Sequence, residues 1–133
     1  MECPCRSAKP AKDLTPDEIK AEVTALLYDE EVGKACNARD RELLSIVVLR
    51  SKAHLFDFLE ASTIWKVLGR WQDPQQGGKL VDEPNVQIDV QFRDAVDECV
   101  GKRLVDLLEE YNKQVVGEQL LYTRTIPIEE GSL

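Results

Sequence analysis

Two thiols stand one residue apart near the start of the chain, in Cys3-Pro4-Cys5. Thiolates at that spacing can grip a soft metal or form a redox couple. A structural zinc site usually wants C-x₂₋₄-C and two further ligands. Cys36 and His54 could complete a set of four only if the fold brought them there. The expected state is a reduced thiol pair on an N-terminal tail, with no metal and no cofactor. Cys36 and Cys99 read as inert, Cys99 as a small buried apolar residue.

Nucleophilic catalysis needs a nucleophile, a base and an orienting group. The one histidine, His54, lies in a segment rich in Leu and Phe and reads as a surface or core-edge residue. No G-x-S-x-G, H-E-x-x-H, P-loop or G-x-G-x-x-G is present, so no catalytic residue is assigned. Paired acids can do acid–base work when burial splits their pKa values. With 25 acidic residues, however, neighbours such as Asp82 and Glu83 arise by chance and read as a solvated surface. The best concentration of unusual residues is Trp65, Arg70 and Trp71, with Arg124 amid Leu, Tyr and Ile near the end. Arginine beside aromatic rings can hold an anion or stack on a planar ligand. Alternatively, both tryptophans fill the core while Arg70 and Arg124 pair with acids such as Asp89.

These residues sit in a chain of 133, with 17 basic and 25 acidic side chains and a net charge of -8. That length suits one domain, 15–133, behind a flexible tail, 1–14. An apolar fraction of 43% can supply a core, which excludes disorder throughout. No apolar run approaches the roughly 20 residues of a membrane span. Phosphate binding needs clustered cations, so nucleic acid is not an expected partner, and neither is a membrane. Met1 to Cys5 lacks the apolar stretch of a secretory signal, which gives a cytoplasmic expectation.

The elements that must position the candidate residues are legible in outline. Thr15-Pro16-Asp17-Glu18 is a capping box with proline at the first helical position. Ile19, Val23, Leu26 and Leu27 continue it as one apolar stripe, and Gly33 is the expected stop. Residues 43–50 read as a strand followed by a short helix, 53–61, in preference to one continuous helix. Residues 63–71 alternate as a second strand, with Trp65, Val67 and Trp71 on one side and Lys66 and Arg70 on the other. Residues 73–78 form a turn. Asn85 to Phe92 alternates as a third strand, with Pro84 at its entrance. A long helix is expected from Arg93 to Val116, on a stripe of Val96, Val100, Leu104, Leu107, Leu108, Tyr111 and Val115. Residues 120–128 read as the last strand. After the first helix the order is βαββαβ, a ferredoxin-like α+β fold: an antiparallel sheet with helices on one face and an extra N-terminal helix.

Leu44 to Leu49, Gly69-Arg70-Trp71, the Gln75 to Glu83 loop, Val86 to Phe92 and Gln119 to Thr125 resemble, in their order, the PII-like proteins. Those are small ferredoxin-fold regulators that often assemble as trimers, with a long loop between their second and third strands and ligands in clefts between subunits. The resemblance implies that loop 72–84, Arg70 and Arg124 occupy the corresponding positions here. The expected function is a non-catalytic binding or regulatory module acting as a homo-oligomer. Its ligand would be small and anionic or planar, held by Trp65, Arg70, Trp71 and Arg124. The alternatives are a small ferredoxin-like enzyme with Arg70, Trp71, Arg124 and His54 in a pocket, or an acidic protein that binds a basic partner protein.

Overall fold

The apolar run Leu43–Leu49, rich in β-branched residues, belongs at the centre of a sheet. It forms β1 (Asp40–Leu49) in the computed structural model, which describes residues 3–7, 9–117 and 122–127. β1 pairs antiparallel on one side with β3 (Lys79–Asp94) and on the other with β4 (Tyr122–Pro127). β2 (Ser62–Asp73) pairs antiparallel with β3, giving the order β2-β3-β1-β4. The protein is α+β, with an antiparallel sheet and helices.

The helical residues comprise α1 (Pro4–Ser7), α2 (Pro16–Tyr28), α3 (Glu30–Ala35) and α4 (Cys99–Tyr111). Side-chain alternation decides which sheet face they cover. Leu44, Ile46 and Val48 of β1 are buried with Val86, Ile88, Val90 and Phe92 of β3. Against them lie Ile19, Val23 and Leu26 of α2 and Val100, Leu104, Leu107, Leu108 and Tyr111 of α4. Arg41, Gln91 and Arg93, at the intervening positions, are exposed. Among the described residues no helix is long and apolar enough to cross a membrane.

The capping box forms as expected: the Glu18 amide donates to Thr15 Oγ1, and the Thr15 amide to the Glu18 carboxylate. Gly33 is not the stop. The helix ends earlier because Asp29 accepts from the amides of Glu31 and Val32 and so starts α3. The expected helix 53–61 is replaced by three-ten turns over Arg50–Phe56. The segment read as a tail is packed: Cys3 is buried and bonded to Cys36, and the Lys9 carbonyl accepts from Arg103.

The loop expected at 72–84 is mostly strand. β3 starts at Lys79, and the turn is confined to Pro74–Gly78, closed by Gly77 and Gly78 at φ +66° and +80°. Leu49 pairs with Asn85, the last β3 residue on that ladder. Pro84 therefore falls where β3 has β2 alone beside it, and its missing N–H is tolerated.

The helix expected from Arg93 begins only at Cys99, and Val96, placed on its stripe, is 91% exposed. Asp94 causes the delay. Its fully buried carboxylate accepts the amides of Ala95 (2.7 Å), Val100 (2.9 Å) and Gly101 (2.8 Å). Residues 95–98 must loop round that carboxylate, with Glu98 left-handed at φ +57°. A Cβ on Gly101 would lie 2.7 Å from the Asp94 carboxylate, so glycine is needed there. We expect Asp94→Ala to destabilise the fold by about 2–4 kcal/mol, because it orphans three amides at once. Urea denaturation measures this.

Glu42 lies beside that carboxylate, and its own carboxyl is pushed above the usual range by burial, then by Asp94, Glu98 and Asp40. A carboxyl raised in the folded state stabilises fully below its unfolded pKa, and that contribution is lost as pH rises through the folded value. Glu42→Gln should therefore be more stable than the wild type at neutral pH and should flatten the loss of stability on leaving mildly acidic pH. Thermal denaturation across that range checks both.

Candidate ligand-binding site

Cross-strand register decides which predicted residues can meet. Trp65 pairs with Gln87 and Trp71 with Val81, so both tryptophans project from the sheet face opposite the helices. Neither fills the core: Trp65 is 53% and Trp71 46% exposed. The Trp65 indole N–H donates to Asp89 Oδ2 at 2.8 Å, while Asp89 Oδ1 accepts from Ser45 (2.7 Å) and Gln87 (2.9 Å). Among the described side chains Asp89 thus has three donors, none of them an arginine.

Arg124 lies opposite Ser45, which lies opposite Asp89, so its position shares the tryptophan face; its side chain lies outside the described set. Arg70 falls on the other face, opposite Asp82, whose carboxylate it bonds at 2.7 Å. That bond pushes the guanidinium pKa further up. Trp65, Trp71 and the Arg124 position are therefore brought to one face, and Arg70 is not. His54 is exposed in the three-ten turns and belongs to neither group. The four residues of the enzyme reading are spread over three elements, with Arg70 and Trp71 on opposite faces of β2.

β2 and the first part of β3 form an arm with apolar residues on both faces. Besides the tryptophans, Ile64, Leu68 and Leu80 are exposed, at alternating positions on the opposite side. The cause is again register. β2 is an edge strand, and β1 stops supporting β3 at Asn85, so the outer half of the hairpin has no second layer.

A different place offers concavity. Ser62 of β2 pairs with Val90, which leaves Gln91, Phe92 and Arg93 extending past the end of β2. The α2–α3 corner approaches that open stretch and encloses a cleft of about 700 Å³. Lys34, Arg39, Arg41 and Arg93 line it, with Asp29 and Glu30 the only acids among the described lining residues. Arg41 and Arg93 are direct cross-strand partners, an arrangement that costs free energy between like charges unless an anion joins them. Arg93 is aimed by a bond from its Nη1 to the Arg39 carbonyl, 3.2 Å. Tyr28, also on the wall, accepts from the Ala61 amide, and burial pushes its phenol pKa up. Sequence reasoning missed this cluster. Arg39-Asp40-Arg41 was visible, but its pairing with Arg93 is a property of register.

The thiols also differ from expectation. Cys3 and Cys36 form a disulfide, their Cα atoms 4.5 Å apart. Cys5 and Cys99 are free and half-buried. Burial first, and contact with Cys99 second, push the Cys5 thiol up to about 12.

No protein-family model matches the chain, and no curated protein matches it. Among solved structures, a Bacillus cereus protein related to NIF3 is similar at 14% identity and a TM-score of 0.43. The likeness covers 86% of this chain and 32% of that one, so the chain spans about a third of that protein's length.

Two half-exposed indoles have a direct spectroscopic consequence. Acrylamide should quench the emission of both, and Trp65→Phe and Trp71→Phe should each remove an accessible component. A single residual component shielded from quencher in either variant would place that ring in the interior.

Proposed function

We propose that the protein is a non-catalytic binding module that takes a small anionic ligand between Arg41 and Arg93. The observation that carries this reading is the direct cross-strand placement of those two arginines at the wall of a cleft. In a chain of net charge -8, four cations around one concavity also raise the local concentration of anions. Guanidinium pairs suit carboxylate or phosphate oxygens because their donors form a planar fork. The strand order β2-β3-β1-β4 supports a ferredoxin-like reading of the sheet, with three-ten turns where that fold usually has its first helix.

Calorimetric titration with inorganic phosphate, citrate and a nucleoside triphosphate tests the proposal. At least one should bind, and Arg41→Gln or Arg93→Gln should weaken it by roughly tenfold or more, about 1.4 kcal/mol. In the absence of ligand, the same variants should be no less stable than the wild type, since each relieves a like-charge pair. Unchanged affinity in both variants, or no binding of any probe, would sink the reading.

A second reading, association with another copy of the chain, is favoured by the hairpin arm. Ile64, Trp65, Leu68, Trp71 and Leu80 form a larger exposed apolar set than scattered surface residues explain. Among the described residues β2 also presents an unpaired backbone edge that a second strand can join. Light scattering after size exclusion should give an oligomer, converted to monomer by Leu68→Glu with Trp71→Glu. A monomeric wild type at its highest soluble concentration refutes it.

A further inference from the structure

The four cysteines of the chain, 3, 5, 36 and 99, come from three distant stretches of sequence and converge on one place. The Sγ atoms of Cys3, Cys5 and Cys36 all lie within 4.8 Å of one another. Cys3 Sγ is 3.7 Å from Cys99 Sγ. Cys3 and Cys36 are buried, and the other two half-buried. Three sulfurs within reach of one another, with a fourth beside one of them, supply the donor set of a structural zinc site once Cys99 swings toward the other three. A tetrahedron with Zn–S bonds of about 2.3 Å has sulfurs about 3.8 Å apart, close to the Cys3–Cys99 separation.

We propose that the reduced chain binds one zinc ion, or a similar soft divalent cation, through Cys3, Cys5, Cys36 and Cys99. The Cys3–Cys36 disulfide is then the oxidised, metal-free form of the same site. The two forms interconvert in balanced steps. A dithiol reductant gives two electrons and two protons to the Cys3–Cys36 bond, yielding two thiols and its own disulfide. The four thiols then bind the divalent cation and release four protons.

The surroundings favour a cation over bare thiolates. The carboxylates of Glu22 and Asp94 are both within electrostatic reach of Cys5, and negative sulfurs alone would add to their charge. Arg103, which bonds Glu22, is also within reach and offsets part of the charge that four thiolates bring. Cys99 is the first residue of α4, and the positive end of a helix dipole stabilises an anionic ligand there. The backbone is already anchored on every side: α1 carries Cys5, Asp94 fixes the start of α4, and the Cys36 amide donates to the Val32 carbonyl at 2.9 Å.

The test uses the full chain reduced anaerobically with a water-soluble phosphine and titrated with cobalt(II). The expected result is one cobalt per chain, with sulfur-to-metal charge transfer and the strong visible bands of tetrahedral tetrathiolate cobalt, displaced by zinc. The oxidised chain should take up none. Cys5→Ser and Cys99→Ser, which leave the disulfide pair intact, should weaken cobalt binding at least tenfold and change the spectrum. X-ray absorption on the zinc-loaded wild type needs no variant and should show four sulfur neighbours. A weak octahedral cobalt spectrum, uptake unaffected by either substitution, or a zinc shell of nitrogen and oxygen would overturn the proposal.

Discussion

The rest of the structure depends on one buried carboxylate. Asp94 is the last residue of β3 and accepts three backbone amides, two of them from the first turn of α4. A carboxylate taken out of water is costly unless its oxygens are fully bonded. Once that requirement is met, the end of the longest described strand and the start of α4 are locked together. Leu104, Leu107 and Leu108 then fall onto the face that β1 and β3 present. The same lock places Cys99 beside Cys3 and sets Arg93 one residue before the end of its strand.

Strands were legible where side chains alternate against one covered face, and helix ends where capping chemistry is local. Asn85 to Phe92 and Thr15 to Glu18 are the clearest cases. The apolar period of the last helix runs back to Val96, ahead of its true start at Cys99, because the Asp94 carboxylate pulls that segment into a loop. Periodicity reports which residues could share a face; it carries no information about a side chain that captures the backbone from a neighbouring strand. The stretch 79–84 looks like loop in sequence for a related reason. Strand pairing with β2 and the Arg70–Asp82 bond hold it extended, despite its proline and its polar composition.

The candidate sites were less legible than the fold. Trp65 and Trp71 were assigned correctly to one side of a strand, yet which side faces solvent depends on where the helices lie. The arginine pair depends on antiparallel register between residues 52 positions apart in sequence, a relation local reading does not supply. The cysteines show the same limit. Cys3-Pro4-Cys5 attracted attention by spacing, while Cys36 and Cys99 look inert until the fold carries them to it.

The bond between Cys3 and Cys36 encloses α1, α2 and α3 in a covalent ring. Closing a ring of this size, 33 positions in sequence separation, removes about 4 kcal/mol of denatured-state entropy. It also alters what a protease can accomplish. A nick anywhere between the two cysteines opens the backbone but sheds no fragment, and Ile19, Val23 and Leu26 stay tethered to the sheet they cover. Once the bond is reduced and no metal joins the four thiols, the same nick leaves the amino-terminal piece without a covalent tether, so the state of the sulfurs decides whether backbone damage there is survivable.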